Sequence, residues 1–380
     1  MSLFLISRSL RLGVRRSSSS VSLLLSNAFS TNSLRQTPPC SIMGVSANEH
    51  GGLGRLGVAY ANHEPPVTEL DKMIPLELVF KEYDDEKTLT IGASHGWVAT
   101  LKEDGILRLQ DDFNPVASDA NPKRIPLPPL VTLPHCQTNI ITNVSMSSSR
   151  PEDDEDCVVA VKFLGPQLSF CKPAGGQSKP PEWTNIKIEN PCFFSSRVMY
   201  SEKDNMFRIP GAGGHLIGSW DPCNPSDDPK LHKVVFQNLP KHLRMATRQL
   251  MDSCFTSEHL VESRPTGETF LVKQYKKTAK NEDGVSILKT EFLLVLKLDE
   301  EGNAVYTQDM GDLNMFLSMS EPFCVTASSF PGHGMYANKI YIYDYDDMGV
   351  VCLDNIPFQF YSVSGPHRVP YQIPPQDIEN

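Results

Sequence analysis

Few stretches of this sequence place reactive residue types at spacings that chemistry uses, and each has a plainer reading beside it. Gly211-Ala-Gly-Gly-His-Leu-Ile-Gly218 could cradle a phosphate with its backbone N–H groups. That use needs a strand before the glycines and a helix starting at them, whereas Trp220-Asp221-Pro222 breaks the chain, so a tight turn is expected. Asp344, Asp346 and Asp347 resemble a fragment of a calcium loop, but the Gly and distal Glu of such a loop are missing at the required offsets. They are expected to face solvent opposite Ile340 and Ile342. His95, His215 and His333 each adjoin a glycine, as turn residues do, and no two of them have metal-ligand spacing. The acidic run Pro151-Glu-Asp-Asp-Glu-Asp156 reads as a solvated loop ahead of a cation site. Ser253-Cys254 lacks a nucleophile elbow and a recognisable partner. No catalytic, cofactor-binding or metal-ligating residue is therefore predicted, no cofactor is expected, and the chain reads as a non-enzyme.

The aromatic residues point elsewhere. Tyr341, Tyr343 and Tyr345 alternate along one stretch and so share a face, either packed between neighbouring sheets or exposed as a patch for a protein partner. Trp97, Trp183 and Trp220 recur near the edges of apolar runs and are expected in the core.

The elements that must hold these residues follow one syntax, clearest in Gly92-Ala-Ser-His-Gly-Trp-Val-Ala-Thr-Leu-Lys-Glu-Asp-Gly-Ile-Leu-Arg-Leu109. A turn at 92–95 precedes a strand at 97–101; residues 102–105 reverse the chain, with Gly105 free to take positive φ, and 106–109 returns alongside. Similar runs recur at 157–164 with 167–171, 183–188, 192–200 with 205–209, 231–237, 259–262 with 268–275, 291–298 with 304–308, and 339–345 with 350–353. Thirty prolines and twenty-four glycines in 380 residues favour many short elements over long helices. One helix is predicted, over 241–252, where Leu243, Thr247 and Leu250 keep helical spacing.

Such a list fits an all-β chain: a β-propeller of about six or seven four-stranded blades, at roughly 40–45 residues each, with a β-sandwich pair as the rival. A last strand near 358–361 would complete a blade begun near 76–80.

Residues 1–40 differ from everything after them. They carry Arg8, Arg11, Arg15, Arg16 and Arg35, the serines at 17–20 and recurring leucines, while the first acidic residue is Glu49. An arginine-bearing, serine-rich, acid-free amphipathic segment predicts a disordered organelle transit peptide, for the mitochondrion first and the chloroplast (or both) as the alternative, cut between Phe29 and Arg35. Residues 41–74, rich in Gly, Asn, His and Pro without a period, are expected to be a linker, residues 75–365 the propeller, and 366–380 a tail. The formal charge of −10 falls to about −15 without the five arginines, which makes nucleic acid a poor partner. Nine cysteines without a CxxC pair predict reduced, mostly packed thiols, and no apolar run is long enough to span a membrane.

Several segments together resemble the plant family called domain of unknown function 295, or the KIB-type β-propeller. They are Gly92-Ala-Ser-His-Gly-Trp97 with Asp104-Gly-Ile-Leu-Arg-Leu109, Arg124-Ile-Pro-Leu-Pro-Pro129, and His259-Leu-Val-Glu-Ser263 with Glu268-Thr-Phe-Leu-Val272. Asp309-Met-Gly-Asp312, Met315-Phe-Leu317, Ser328-Ser-Phe-Pro-Gly332 and Asn338-Lys-Ile-Tyr-Ile-Tyr-Asp344 complete the set. The resemblance implies a propeller that binds a protein, often behind an N-terminal F-box that docks onto a ubiquitin-ligase scaffold. Met73-Ile-Pro-Leu-Glu-Leu-Val-Phe80 looks like the opening of an F-box, but a charged stretch and a strand replace the helices that should follow. An organelle-targeted branch without the F-box is expected: a non-catalytic organellar propeller that binds protein partners. The alternative is the substrate-recognition subunit of a ubiquitin ligase. An enzyme with its site at the propeller channel ranks last, since no residue constellation supports it.

Overall fold

The computed structural model describes residues 36–47, 52–61, 67–80, 88–134, 136, 140–174, 180–225, 228–239, 251–280, 284–331, 334–345, 347–354 and 369–378. Their strands form six sheets, each a blade of a propeller. Blade 1 takes β1 (Cys40–Ala47), β2 (Leu53–Tyr60) and β3 (Thr68–Pro75). Blade 2 is β4 (Leu89–Ser94), β5 (Trp97–Leu101), β6 (Ile106–Gln110) and β7 (Arg124–Pro129). Blade 3 is β8 (Ile141–Met146), β9 (Val159–Phe163), β10 (Gln167–Cys171) and β11 (Trp183–Lys187). Blade 4 is β12 (Met199–Ser201), β13 (Met206–Pro210), β14 (Leu216–Trp220) and β15 (Lys230–Lys233). Blade 5 holds β16 (Phe236–Gln237), β17 (Phe255–Glu262), β18 (Thr269–Lys280), β19 (Ser286–Leu298) and β20 (Ala304–Tyr306). Blade 6 is β21 (Leu313–Ser318), β22 (Phe323–Thr326), β23 (Lys339–Tyr343) and β24 (Met348–Cys352), and β25 (Gln372–Ile373) returns to blade 1.

The ring is held by what lies between blades. Trp97, Leu109, Val144 and Val161 pack blade 2 on blade 3, and Phe170, Phe207 and Trp220 pack blade 3 on blade 4. Leu260, Leu271 and Ile217 join blades 4 and 5; Val272, Met315 and Ile340 join blades 5 and 6. Phe316 and Tyr341 stack beside Ala61 at the junction of blades 6 and 1, while Leu56, Val98 and Tyr371 lie in the junction of blades 1 and 2. Each fully buried Val, Leu or Ile stabilises the fold by about 1.5–3 kcal/mol, so every junction is an apolar core of its own.

Blade 1 closes the ring. β25 pairs antiparallel with β1, Ser41 opposite Gln372 and Cys40 opposite Ile373, and a further bridge joins Gln36 to Asp377. The segment expected to be a linker is therefore three strands, and the expected tail carries the closing strand. The misreading has a physical cause: glycines of this stretch look like linker but serve close packing at Gly54 and a bulge at Gly44. A Cβ on Gly54 would lie 2.4 Å from Val45 and 2.6 Å from the Ser46 carbonyl, and Gly44 takes φ +140 at the bulge after Ile42. The closing strand expected at 358–361 lies outside the described residues, as do residues 1–35 of the transit segment expected at 1–40; of its remainder, Gln36 is bridged to Asp377 and Cys40 opens β1, so that end belongs to the propeller.

Blade 6 departs from a simple meander. Its order is β22-β21-β23-β24, with β21 parallel to β23. The connection from β21 to β22 runs inward. Met319 N–H donates to Pro370 O at 3.1 Å, Glu321 N–H to Ala93 O at 2.7 Å, and Ser320 bridges Ala93 in parallel. A segment that meets the inner strands of blades 1 and 2 and, through Glu321, those of blades 3 and 4 lies on the propeller axis. Residues 318–322 thus plug the channel.

Candidate binding site at the channel mouth

The plug positions a chain of polar groups at one end of the axis. Ser94 ends β4, and His95 follows in a turn with φ +54, a backbone region non-glycine residues seldom adopt. Ser94 Oγ donates to Glu321 Oε2 at 2.6 Å. The other carboxylate oxygen, Oε1, accepts from Ser145 Oγ and from Tyr200 N–H, both at 2.7 Å. One side chain from blade 6 is thereby tied to blades 2, 3 and 4. Burial raises the Glu321 pKa, while its three hydrogen bonds and the Arg264 charge oppose the rise.

The hydroxyl of Ser94 has one proton, and Glu321 receives it. His95 Nδ1, 2.8 Å from Ser94 Oγ, must then carry the imidazole proton and donate, which leaves Nε2 with a lone pair for the Arg264 guanidinium. Burial and the Arg264 charge both hold the His95 pKa well below its usual value, in keeping with a neutral ring. Arg264 in turn pairs with Glu202 at 2.9 Å. The wire runs Arg264, His95, Ser94, Glu321. Its chemistry is positional: Ser94 faces a carboxylate acceptor in place of a free base, and the His95 lone pair is already occupied.

Over this wire opens a cavity of about 380 Å³, with walls of Pro322, Phe323, Phe330, Pro374 and Pro375 and a charged rim of Glu202 and Arg264. Flat apolar rings beside an arginine are the surface composition that protein interfaces favour.

The residues singled out in the sequence fall elsewhere. The 211–218 glycines make the β13–β14 hairpin turn, where Gly213 and Gly214 take φ +83 and +75 and Gly213 N–H donates to Glu258 at 2.9 Å. A Cβ on Gly218 would meet the Trp220 and Phe193 rings within 3.0 Å, so packing explains that glycine. Asp344 and Asp347 do not face solvent as expected. Asp344 pairs with Lys276, and Asp347 is buried, accepting from Thr290 N–H at 2.8 Å, because the β23–β24 turn folds over blade 5. Burial would raise the Asp344 pKa, but Lys276 and Arg197 outweigh it and hold the carboxyl below its usual value. Asp346, His333 and residues 241–250 of the expected helix lie outside the described residues; Met251 and Asp252 are helical.

His215 packs against Phe236 with the rings tilted by 44° and their centroids 4.4 Å apart. Cys254 packs at the junction of blades 4 and 5. Tyr341 and Tyr343 pack between blades 6 and 1 and donate to Ala61 O and Ile42 O, while Tyr345 is exposed. Trp97 and Trp220 are buried, and Trp183, half-buried, donates to Pro128 O at 2.7 Å. The acidic loop is mostly exposed, with Glu152 paired to Lys123 at 2.9 Å and Asp156 to Lys172 at 3.2 Å. All nine cysteines are free, five of them buried. Among the described residues no three His, Cys, Asp or Glu side chains are arranged to hold a metal, and no helix is long and apolar enough to cross a membrane.

Glu321, Arg264 and Tyr200 were not legible as a group. Glu321 meets Ser94 across 227 positions of sequence and Tyr200 across 121, a separation no local motif records. The one available signal was Ser94-His95-Gly96, a tight turn with polar side chains at a strand end.

Among solved structures the chain is similar to Hsv2 of Kluyvelomyces marxianus, at 10% identity over 64% of this chain and 66% of that one, with a TM-score of 0.28. It is also similar to Raptor of Chaetomium thermophilum, at 11% identity over 89% of this chain and 29% of that one, with a TM-score of 0.29. Neither likeness adds to the fold described above. No curated protein matches the chain. The family described as KIB1-4 beta-propeller matches residues 68–356, from the first residue of β3 to just beyond blade 6. On that match, over most of its length, the chain belongs to the KIB1-4 beta-propeller family.

Proposed function

We propose that this propeller is a non-catalytic module that binds a protein partner inside an organelle, the mitochondrion in the first instance. The observation that carries the binding half is the plugged axis: where a propeller can hold a reaction site, residues 318–322 fill the channel, and an aromatic and proline-walled cavity lies at its mouth. The organellar half rests on the arginine-bearing, acid-free N-terminal segment. Ring closure is compatible with its removal. Among the described residues Gln36 is the first bridged to the propeller, so a cut between Phe29 and Arg35 leaves the described closing contacts in the chain. The stretch that resembles an F-box opening belongs to β3 and the turn after it, with Leu76 and Leu78 buried in the junction of blades 1 and 2. It is therefore committed to the propeller.

Incubating the radiolabelled full chain with isolated, energised mitochondria tests the import half. The expected result is a protease-protected product shorter by about 29–35 residues, absent when the membrane potential is collapsed and absent for a chain starting at Gln36. Equal protection of both chains, or of neither, would overturn it.

A further inference from the structure

The face of the ring around the channel mouth is acidic. The β4–β5, β8–β9, β12–β13 and β17–β18 connections each leave the innermost strand of a blade and so open on this one face. At the β12–β13 turn Glu202 pairs with Arg264 and Asp204 with Arg208, which leaves Lys203 against Glu262 and Glu321. In the β8–β9 connection Glu152 pairs with Lys123 and Asp156 with Lys172, which leaves Arg150 against Asp153, Asp154 and Glu155. The two clusters adjoin: burial raises the Tyr200 pKa most, and the charges of Glu202, Glu262 and Asp154 add to the rise. Across the cavity Asp377 accepts from Gln36 Nε2 at 2.9 Å and brings one more carboxylate to this face.

The chain itself supplies the complementary segment. Gln36 forms part of the cavity wall, and the residue before it is Arg35. The stretch that ends there holds Arg8, Arg11, Arg15, Arg16 and Arg35 and no acid. A guanidinium pairs with carboxylates and lies flat on aromatic rings, and the mouth offers both, with Phe323 and Phe330 in its walls. Joined directly to the wall, the segment meets the cavity at an effective concentration of about 1 mM, so an intrinsic dissociation constant of about 0.1 mM is enough to keep it docked. A partner free in solution lacks that advantage.

We propose that in the uncleaved chain the basic leader occupies the channel-mouth cavity, held through its arginines by the acidic face, and that its removal uncovers the cavity for the partner. The second half rests on the import reading given above; the first stands without it. The leader then serves twice, as an address and as a cover over the binding face until the cut is made.

Fluorescence anisotropy of a labelled synthetic peptide of residues 1–35, titrated with two full-length chains in about 0.15 M salt, tests the docking. One chain is the parent; in the other Arg8, Arg11, Arg15, Arg16 and Arg35 are all replaced by Gln, which alters no described residue. The neutralised chain should bind the peptide at about 0.1 mM, and the parent about tenfold more weakly because its own leader competes. In the neutralised chain Glu202→Gln should weaken binding by about tenfold, whereas Glu103→Gln, the same loss of charge in the β5–β6 turn on the other face, should leave it unchanged. Absence of binding to the neutralised chain at about 1 mM, or equal effects of the two glutamate variants, would overturn the proposal. Equal binding to both full-length chains would overturn it as well and assign the mouth to a basic segment of another protein. The titration involves no organelle, so it can fail while the precursor is still imported, and import can fail while it succeeds.

Discussion

At the scale of single residues, Glu321 bears the most. Its carboxylate satisfies two hydroxyls and a backbone N–H from three different blades, so truncation and neutralisation should behave differently. Glu321→Ala strands the Tyr200 N–H and opens a void on the axis, and should cost about 2–4 kcal/mol in urea unfolding. Glu321→Gln keeps an acceptor for Ser145 and Tyr200, presents its amide to Ser94, and should stay within about 1 kcal/mol of the parent. The two also differ in pH dependence. Because the native carboxyl holds its proton more tightly than the unfolded chain does at 4.5, the native state binds more protons just above that pH, and stability falls as pH rises through the window. Glu321→Gln should remove that slope from a series of urea midpoints measured between about pH 4 and 7. An unaltered slope would show that Glu321 titrates as an ordinary exposed carboxylate. None of this was legible in the sequence, where Glu321 is one acid among forty-five Asp and Glu residues. Its role comes from threading through the ring, and threading leaves no local pattern.

At the scale of elements, legibility followed contact range. The β5–β6 hairpin was readable nearly to the residue, Trp97–Leu101 and Ile106–Gln110 about Gly105 at φ +73, because the turn and both strands lie within fourteen consecutive residues. Strand β10, Gln167–Cys171, was readable for the same reason. Blade 1 was not, because its inner strand arrives from more than three hundred positions away, with Gln36 bridged to Asp377 across 341. The two-residue β25 has no pattern of its own. Its weight in the fold is nonetheless large: Val369, Tyr371 and Ile373 are all buried in the junction of blades 1 and 2. At about 1.5–3 kcal/mol each, their loss amounts to roughly 5–9 kcal/mol, the same order as the whole stability of a typical domain, about 5–15 kcal/mol. Deleting residues 369–380 should therefore abolish cooperative unfolding at 25 °C, seen as a flat denaturant profile by tryptophan fluorescence. A cooperative transition at the parental midpoint would mean that the ring closes without β25.

At the scale of the whole molecule, the six blades and the plugged axis describe a rigid ring whose two ends are joined through one short segment, with a larger cavity on one side and a smaller one on the other. The family match spans 68–356 and leaves β1, β2 and β25 outside it, so closure is supplied by strands that the sequence had presented as linker and tail. A ring completed by its own N-terminal strands should lose closure when β1 is removed, whereas the proposed import reading expects a cut between Phe29 and Arg35 to be tolerated. The central claim, an imported binding module, is met most directly by mass spectrometry of the C-terminally tagged full chain purified from whole cells, reading its N-terminus and its companions together. The account predicts an N-terminus between residues 30 and 36 with organellar proteins alongside. An intact Met1 accompanied by ubiquitin-ligase components would contradict it.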